Sequence, residues 1–181
     1  PAKPNEIPGK PGYCLASMGN YVFNPDFLYE QVIKDADSSR TQHDFGRNVI
    51  PSIIKDYHVY AYAFRDPDTG EQPYWRDIGT LPAFWEANME LVSVSPHLNL
   101  YDRTWPIWTH QIQAPPAKFV FDEDGRRGQA INAMVSGGCV VSGSVVRNSL
   151  LFTGVYVHSF SEVDESVVLP DVDIGKNCHI N

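Results

Sequence analysis

The sequence has few cysteines and no metal-ligand spacing. Cys14, Cys139 and Cys178 lie far apart, no Cys-x-x-Cys pair occurs, and the six histidines do not cluster. Disulfide frameworks and structural zinc sites need paired, regularly spaced ligands. We therefore expect no structural zinc site, and we expect buried free thiols in a protein of the reducing cytoplasm.

Long apolar runs and an excess of positive charge are also absent. No stretch is long and apolar enough for a membrane span, and no signal-peptide pattern opens the chain. With 14 Lys and Arg against 22 Asp and Glu, the net charge is −8, which argues against a nucleic-acid-binding surface. The chain opens on Pro1 without an initiator Met, as expected of a piece of a longer protein.

Strand and helix patterns alternate through residues 1–95 and predict an α/β sheet. Residues 1–12 are rich in proline and glycine, which predicts a loop or an extended arm with no core of its own. We predict strands at residues 15–23, 58–64 and 74–78, and helices that follow the N-caps Asn24, Asp44 and Thr80. In the second helix, apolar spacing places Val49, Ile50, Ile53 and Ile54 on one face, and Pro51 predicts a kink or short turns. The buried face of the third helix is assigned to Phe84, Trp85, Asn88, Leu91 and Val92.

The last part of the chain carries a six-residue repeat of apolar residues. The repeat predicts a parallel β-helix over residues 131–181, with eighteen residues per coil. An antiparallel strand pair with coincidental spacing is the alternative, and the pattern does not reveal the hand. Residues 96–130, rich in proline and aromatic residues that include Trp108, are predicted to be a linker pinned to a domain, with a hairpin tip near 122–128. The repeat comprises Cys139, Val145, Leu151, Val157, Val163 and Leu169, then Ile174 and Ile180 after a one-residue slip.

Residues 74–80, YWRDIGT, combine two aromatics, a cation, an acid and a glycine before a helix. A strand that ends in an acid and turns at a glycine is a common way to present a carboxylate to a ligand. The alternative is that Tyr74 and Trp75 belong to the core and Asp77 only pairs with Arg76. For His43, a local bond at the start of a helix is favoured over catalysis, because no nucleophile lies beside it.

Several motifs resemble, in the same order, segments of the bacterial ADP-glucose pyrophosphorylases (glucose-1-phosphate adenylyltransferases). The resemblance extends from about Tyr13 to the end of the chain, and the family's glycine-rich nucleotide-binding loop has no counterpart here. It therefore implies an interior or C-terminal fragment that lacks the N-terminal nucleotide-binding half. The motifs are LASMGNYVF at 15–23, HDFG at 43–46, YWRDIGT at 74–80, YDRTWPI at 101–107, PPAKFV at 115–120 and SGGC at 136–139.

The resemblance implies a fold and a reaction. The expected fold is the second half of a Rossmann-like nucleotidyltransferase mixed sheet, followed by the start of a left-handed parallel β-helix. The expected reaction of the intact enzyme joins ATP and α-D-glucose 1-phosphate into ADP-glucose and pyrophosphate, for glycogen biosynthesis. Positioning and charge neutralisation carry such phosphoryl chemistry, and Mg²⁺ is the expected cofactor. Without the missing half, we expect the fragment to be inactive by itself.

The resemblance also implies roles for individual residues. Asp77 matches an acid that helps to hold Mg²⁺ and is the catalytic candidate, and Ser17 matches a position that contacts glucose 1-phosphate. From the residues alone, Ser17 could equally bond adjacent backbone, and Trp75 could wall the sugar pocket or pack in the core. Lys118 beside free backbone N–H groups of Ser136 and Gly137 would suit a sugar-phosphate or carboxylate effector. The family also implies a cytoplasmic homotetramer.

Two other functions remain open at this stage. A hexapeptide-repeat acyltransferase would use the same β-helix with a coenzyme A donor and an active-site histidine, for which His158 is the candidate within the repeat. A non-catalytic assembly module would use the β-helix only to hold subunits together. The acyltransferase hypothesis leaves the α/β segment unexplained.

Overall fold

The computed structural model describes residues 4–107 and 112–181, so Trp108 and Pro1 lie outside the described residues. The chain divides into two compact units, residues 1–73 and 74–181, and each is described by itself. This division falls inside the segment 1–95 that the sequence assigns to one α/β domain. The boundaries proposed from sequence therefore differ from those of the compact units, because the helix after Thr80 packs within the second unit.

The first unit opens with a hairpin, where the sequence predicted a loop or an extended arm with no core of its own. Strands β1 (Glu6–Ile7) and β2 (Lys10–Cys14) pair antiparallel, with Ile7 opposite Lys10. Gly9, with a φ of 79°, allows the tight turn that joins the strands, so the segment is paired rather than a loop. None of the residues 4–14 is buried, as expected of an arm without a core.

Helix α1 (Pro25–Ala36) begins as predicted at Asn24. The side chain of Asn24 accepts a hydrogen bond from the backbone N–H of Asp26, and Pro25 occupies the first helical turn, where a missing N–H has no cost. The predicted cap is confirmed.

The second helical segment is broken into short pieces, as Pro51 predicts. A π-helical turn (Phe45–Val49) is capped by Asp44, whose carboxylate accepts the N–H of Arg47 at 2.7 Å, and α2 (Ile50–Ile53) follows. Val49 and Ile53 are buried, but Ile54 is 55% exposed. The four residues predicted to form one face therefore do not share one environment, because the π-helical turn shifts the helical phase.

The strands predicted at residues 15–23, 58–64 and 74–78 do not form. In the part of the chain that the structure describes, these segments have extended or irregular backbone and no strand partner. Tyr60 and Tyr62, which the alternating pattern would place on the same face of a strand, are 85% and 86% exposed. A strand exists only where a neighbour receives its backbone hydrogen bonds, so the pattern alone could not produce one.

Helix α3 (Leu81–Val92) starts the second unit's regular structure, with Thr80 as the predicted N-cap. Its predicted buried face is only half-buried, since Phe84, Asn88, Leu91 and Val92 are each partly covered and Trp85 is 42% exposed. Among the helices within residues 4–107 and 112–181, none has the length and apolar character needed to cross a membrane.

A parallel β-solenoid of about three turns follows, consistent with the predicted left-handed β-helix and excluding the antiparallel alternative. Its first strand begins at Lys118, inside the predicted linker, because Lys118 pairs with Val140 of the next coil. A short antiparallel hairpin, β4 (Asp122–Glu123) and β5 (Arg126–Arg127), leaves the first coil, as predicted for this charged loop.

The solenoid has three parallel sheets, one on each side. The strands are, on the first side, β7 (Met134–Val135), β10 (Leu150–Leu151) and β13 (Val167–Val168); on the second, β3 (Lys118–Val120), β8 (Val140–Ser142), β11 (Tyr156–Val157) and β14 (Asp173–Ile174); on the third, β6 (Gln129–Ile131), β9 (Val145–Arg147), β12 (Glu162–Asp164) and β15 (His179–Ile180).

The coils are shorter than the predicted eighteen residues. Val141 pairs with Val157 at an offset of 16, and Val157 pairs with Ile174 at an offset of 17. The strict six-residue repeat is therefore wrong at two places. Val146 rather than Val145 points inward, and Val168 is buried whereas Leu169 is 53% exposed. The coils are shorter at their corners, while the strands keep their pairing.

All three cysteines are free thiols, as predicted, but only one is fully buried. Cys139 lies in the solenoid core, and burial raises the pKa of its thiol. Cys14 is exposed at the end of β2, so the expectation of burial was wrong for it.

The solenoid register makes a direct prediction for two leucines. Leu151 is fully buried in the core, so Leu151→Ala should lower the free energy of unfolding by about 2–5 kcal/mol. Leu169→Ala is the matched control and should change it by less than about 0.5 kcal/mol, because Leu169 is exposed. Urea unfolding of the two variants would measure both values. Equal losses would contradict the observed register.

Candidate functional site

Asp77 lies at the turn that leads into α3. Its Oδ1 accepts the backbone N–H of Gly79 at 3.0 Å, and three residues further on Thr80 Oγ1 accepts the N–H of Ala83 at 3.3 Å. Asp77 is exposed. The turn therefore holds one carboxylate oxygen by a backbone bond and leaves the carboxylate in contact with solvent.

Gly79 is closely fitted against this carboxylate. A Cβ added at Gly79 would lie 3.1 Å from Asp77 Oδ1, which is tighter than ordinary van der Waals contact. Any other residue at position 79 would therefore press on the carboxylate or force it to rotate.

Arg76 pairs with α3 rather than with Asp77. Its Nη2 lies 2.5 Å from Glu90 Oε2, while His97 Nδ1 lies 2.6 Å from Glu90 Oε1. These hydrogen bonds, first from His97 and then from Arg76, lower the pKa of Glu90, and Glu90 in turn raises the pKa of Arg76. The alternative in which Asp77 only pairs with Arg76 is thus wrong, because Glu90 takes the guanidinium.

Trp75 is 39% exposed, so it is not a fully buried core residue. It directly precedes Arg76 and Asp77 in the chain and lies outside any helix or strand. Its role in a sugar pocket stays a prediction.

Ser17 lies in the first unit and makes local contacts. Its Oγ is 3.0 Å from Tyr21 Oη and accepts the N–H of Gly19 at 3.2 Å. The local bonding that the sequence left open is therefore present, and Ser17 is exposed. A hydroxyl with this acceptor bond keeps its own proton to donate, so contact with a sugar phosphate stays a prediction.

The predicted effector residues offer fewer donors than expected. The N–H of Ser136 donates to Leu151 O at 3.0 Å, and the N–H of Gly138 donates to Pro115 O at 2.6 Å. The expectation of free N–H groups along this turn was wrong for both residues, because neighbouring coils and the incoming chain accept them. Lys118 is exposed, with its own N–H bonded to Cys139 O. The effector role of Lys118, Ser136 and Gly137 stays a prediction.

A cavity of about 320 Å³ lies elsewhere, between the β4–β5 hairpin and the third side of the solenoid. Its lining includes Arg126, Phe160 and Glu162 but none of the predicted effector residues. Several charged groups of this lining are paired, as Glu162 is with His179 and Arg126 is with Glu123.

The two histidines discussed from sequence are both held by carboxylates. His43 Nδ1 lies 2.9 Å from Asp35 Oδ2, so its bond is to a side chain rather than to the predicted backbone. His158 Nε2 lies 3.1 Å from Asp173 Oδ1, and its ring packs on Tyr156.

The chemistry of Asp77 fits a role in holding Mg²⁺. Mg²⁺ takes oxygen ligands and is usually held by one or two carboxylates together with phosphates and water. Within the described residues, no cluster of three or more His, Cys, Asp or Glu could hold a metal alone. Asp77 would therefore be one ligand among several, and among residues 4–107 and 112–181 it forms no ion pair that would block its oxygens.

The hydrogen bonds of Glu90 and Trp85, two residues of α3, were not predicted from the sequence. Glu90 bonds Arg76 from fourteen positions away, and the indole of Trp85 donates to Glu165 O at 2.8 Å across eighty positions. No local pattern signals either contact, since both depend on the packing of α3.

Comparisons with known proteins find a family match for each part of the chain. The family model "Nucleotidyl transferase" matches residues 3–94, and the model "GlmU-like, C-terminal hexapeptide" matches residues 115–181. The chain belongs to the nucleotidyl transferase family, with a hexapeptide-repeat solenoid after the transferase segment.

Three similar proteins share one name. The chain is 58% identical to the glucose-1-phosphate adenylyltransferase of Methylococcus capsulatus, over 100% of this chain and 43% of that protein. It is 58% identical to that of Teredinibacter turnerae over 99% and 43%, and 62% identical to that of Saccharophagus degradans over 90% and 38%. The chain spans less than half the length of these relatives. The resemblance stated from sequence motifs is confirmed.

The Glu90 network makes a prediction about pH. Because the folded-state pKa of Glu90 is lowered, the unfolded state binds more protons in acid, and the Glu90 contribution to stability is lost as pH falls below the ordinary 4.5. Glu90→Gln should therefore reduce the loss of stability between neutral pH and acid. Urea unfolding at several pH values would measure it, with Glu86→Gln on the exposed side of α3 as control. The same slope for both variants would refute the role of the network.

Proposed function

We propose that the protein to which this chain belongs transfers AMP from ATP to α-D-glucose 1-phosphate, forming ADP-glucose and pyrophosphate for glycogen biosynthesis. The supporting observation is 58% identity over the whole chain to a glucose-1-phosphate adenylyltransferase. In this reaction a phosphate oxygen of the sugar phosphate attacks the α-phosphorus of ATP, the new P–O bond forms, and pyrophosphate leaves.

Asp77 is proposed as a catalytic carboxylate that helps to hold Mg²⁺. The ion, when bound, neutralises charge on the phosphates. Asp77 contributes a negative charge at a fixed place, because Gly79 N–H binds one of its oxygens and α3 begins four residues later. The guanidinium of Arg76 pairs with Glu90 and is assigned no contact with phosphate.

Ser17 and Trp75 are proposed to contact the glucose 1-phosphate. Ser17 is exposed and has a hydroxyl proton to give, and Trp75 exposes part of an aromatic face on which a sugar ring can pack. Both residues fall within the segment matched by the transferase family.

We also propose how the protein is regulated and how it assembles. Lys118, Ser136 and Gly137 are proposed to contact a sugar-phosphate or carboxylate effector, supported by the exposure of the Lys118 ammonium. We also propose a cytoplasmic homotetramer. The 181 residues by themselves are proposed to be inactive, because no group of three or more His, Cys, Asp or Glu among the described residues could hold a metal ion.

The acyltransferase and assembly-module alternatives lose support. Neither explains the match of residues 3–94 to nucleotidyl transferases.

The proposal predicts the effect of Asp77→Asn in the full-length protein. Asn keeps the oxygen that accepts Gly79 N–H, so the melting temperature should stay the same, but the lost charge should lower kcat, or raise the Mg²⁺ requirement, by about tenfold or more. ADP-glucose formation as a function of free Mg²⁺ would measure this.

The matched control is Asp124→Asn, at the tip of the hairpin, which should leave both quantities unchanged. Unchanged turnover of Asp77→Asn at limiting Mg²⁺ would refute the metal-binding role. Failure of the unaltered full-length protein to form ADP-glucose would refute the proposed function itself.

A further inference from the structure

Helix α3 is attached to the solenoid by a specific hydrogen bond. The indole N–H of Trp85 donates to the backbone carbonyl oxygen of Glu165 at 2.8 Å. The helix also lies beside strands β10 and β13, which border this corner of the solenoid. The donor therefore comes from the segment matched by the transferase family, and the acceptor from the hexapeptide repeat.

The solenoid holds this acceptor in place. Glu165 has a φ of 45°, a left-handed conformation that a residue other than glycine adopts only when its surroundings impose it. Its N–H bonds Asp164 Oδ1 at 3.0 Å, and the same oxygen accepts Asn148 Nδ2 at 3.1 Å from the preceding coil. The carbonyl that receives Trp85 thus belongs to a corner braced by two coils.

The N-terminal end of α3 adjoins the Asp77 turn. Thr80 caps the helix, and Arg76, adjacent to Asp77, is bound to Glu90 near the helix end. The backbone on both sides of Asp77 is therefore tied to α3, by the cap on one side and by the ion pair on the other. A shift of α3 has to move the carboxylate with it.

We propose that Trp85 is a positioning residue, through which the solenoid fixes the place of α3 and thereby of the Asp77 carboxylate. The inference rests on the proposed function for its catalytic consequence, but the mechanical link stands on the contacts alone. Because metal-assisted phosphoryl transfer depends on positioning, a displacement of about 1 Å can cost as much as 100-fold in rate. The solenoid then contributes to catalysis without contacting the substrate.

The first experiment measures the link without any activity. In the unaltered 181-residue chain, NMR exchange of the Trp85 indole N–H should be slower than that of Trp105, which is 80% exposed. In Trp85→Phe, the amide resonances of Gly79 and Ala83 should shift, because their acceptors are Asp77 and Thr80. Trp105→Phe is the matched control and should leave both resonances in place. Equal indole exchange, or unmoved resonances in Trp85→Phe, would overturn the proposal.

The second experiment measures the consequence in the full-length protein. Trp85→Phe should lower kcat or raise the Mg²⁺ requirement by about fivefold or more, with the KM for glucose 1-phosphate nearly unchanged. Glu165→Gly keeps the accepting carbonyl and should behave as the unaltered protein. An equal rise in KM with kcat intact would overturn the positioning role.

The two experiments separate the possible failures. If the full-length protein forms no ADP-glucose, the proposed function fails, while the resonances of Gly79 and Ala83 still decide the link. If Trp85→Phe does not fold, the indole exchange of the unaltered chain decides it, together with Asn148→Ala, which removes the brace at Asp164. Asn148→Ala should accelerate exchange of the Trp85 indole several-fold, and an unchanged rate would overturn the proposal.

Discussion

The second unit depends on the hydrogen bonds that join each solenoid coil to the next. Parallel pairing places Val141, Val157 and Ile174 one above another, so small apolar side chains fill the interior in columns. Because β-branched residues pack well on such surfaces, the core is built mostly of valine. The corner that accepts Trp85 exists only because these coils stack.

The corners require left-handed backbone at stacked positions. Glycine adopts it readily, whereas other residues bear a cost of about 1 kcal/mol or more that the coil pairing must offset. Glu165 is one such residue, and its carbonyl is the acceptor for Trp85. The three columns are Asn132, Asn148 and Glu165; Gly138, Gly154 and Asp171; and Phe121, Gly143, Phe160 and Asn177.

The candidate site is an exposed carboxylate at the start of α3, the helix that contacts the solenoid. Asp77 itself makes one backbone bond, and its surroundings rather than its own contacts determine where it lies. Glu90 is central because it binds Arg76 and His97 together, and in the part of the chain that the structure describes Asp77 forms no ion pair. A carboxylate in that state can accept a metal ion, whereas one already paired with arginine would have to lose its partner first.

Local sequence determined the features that depend on near neighbours. The caps Asn24, Asp44 and Thr80, the break at Pro51 and the parallel coil arrangement were all predictable, because each depends on a few adjacent residues or on a repeat. The turn at Asp77 was also predictable as a candidate site, since its residue types and order resemble a family motif.

Tertiary structure decided which partner each residue receives. Alternation at residues 58–64 could not form a strand without a neighbour, and the register slips at Val146 and Val168 arose at corners whose length the repeat did not specify. The partners of Arg76 and Trp85 lie 14 and 80 positions away. Such contacts follow from how α3 packs, because hydrogen bonds and ion pairs depend on distance in space and not along the chain.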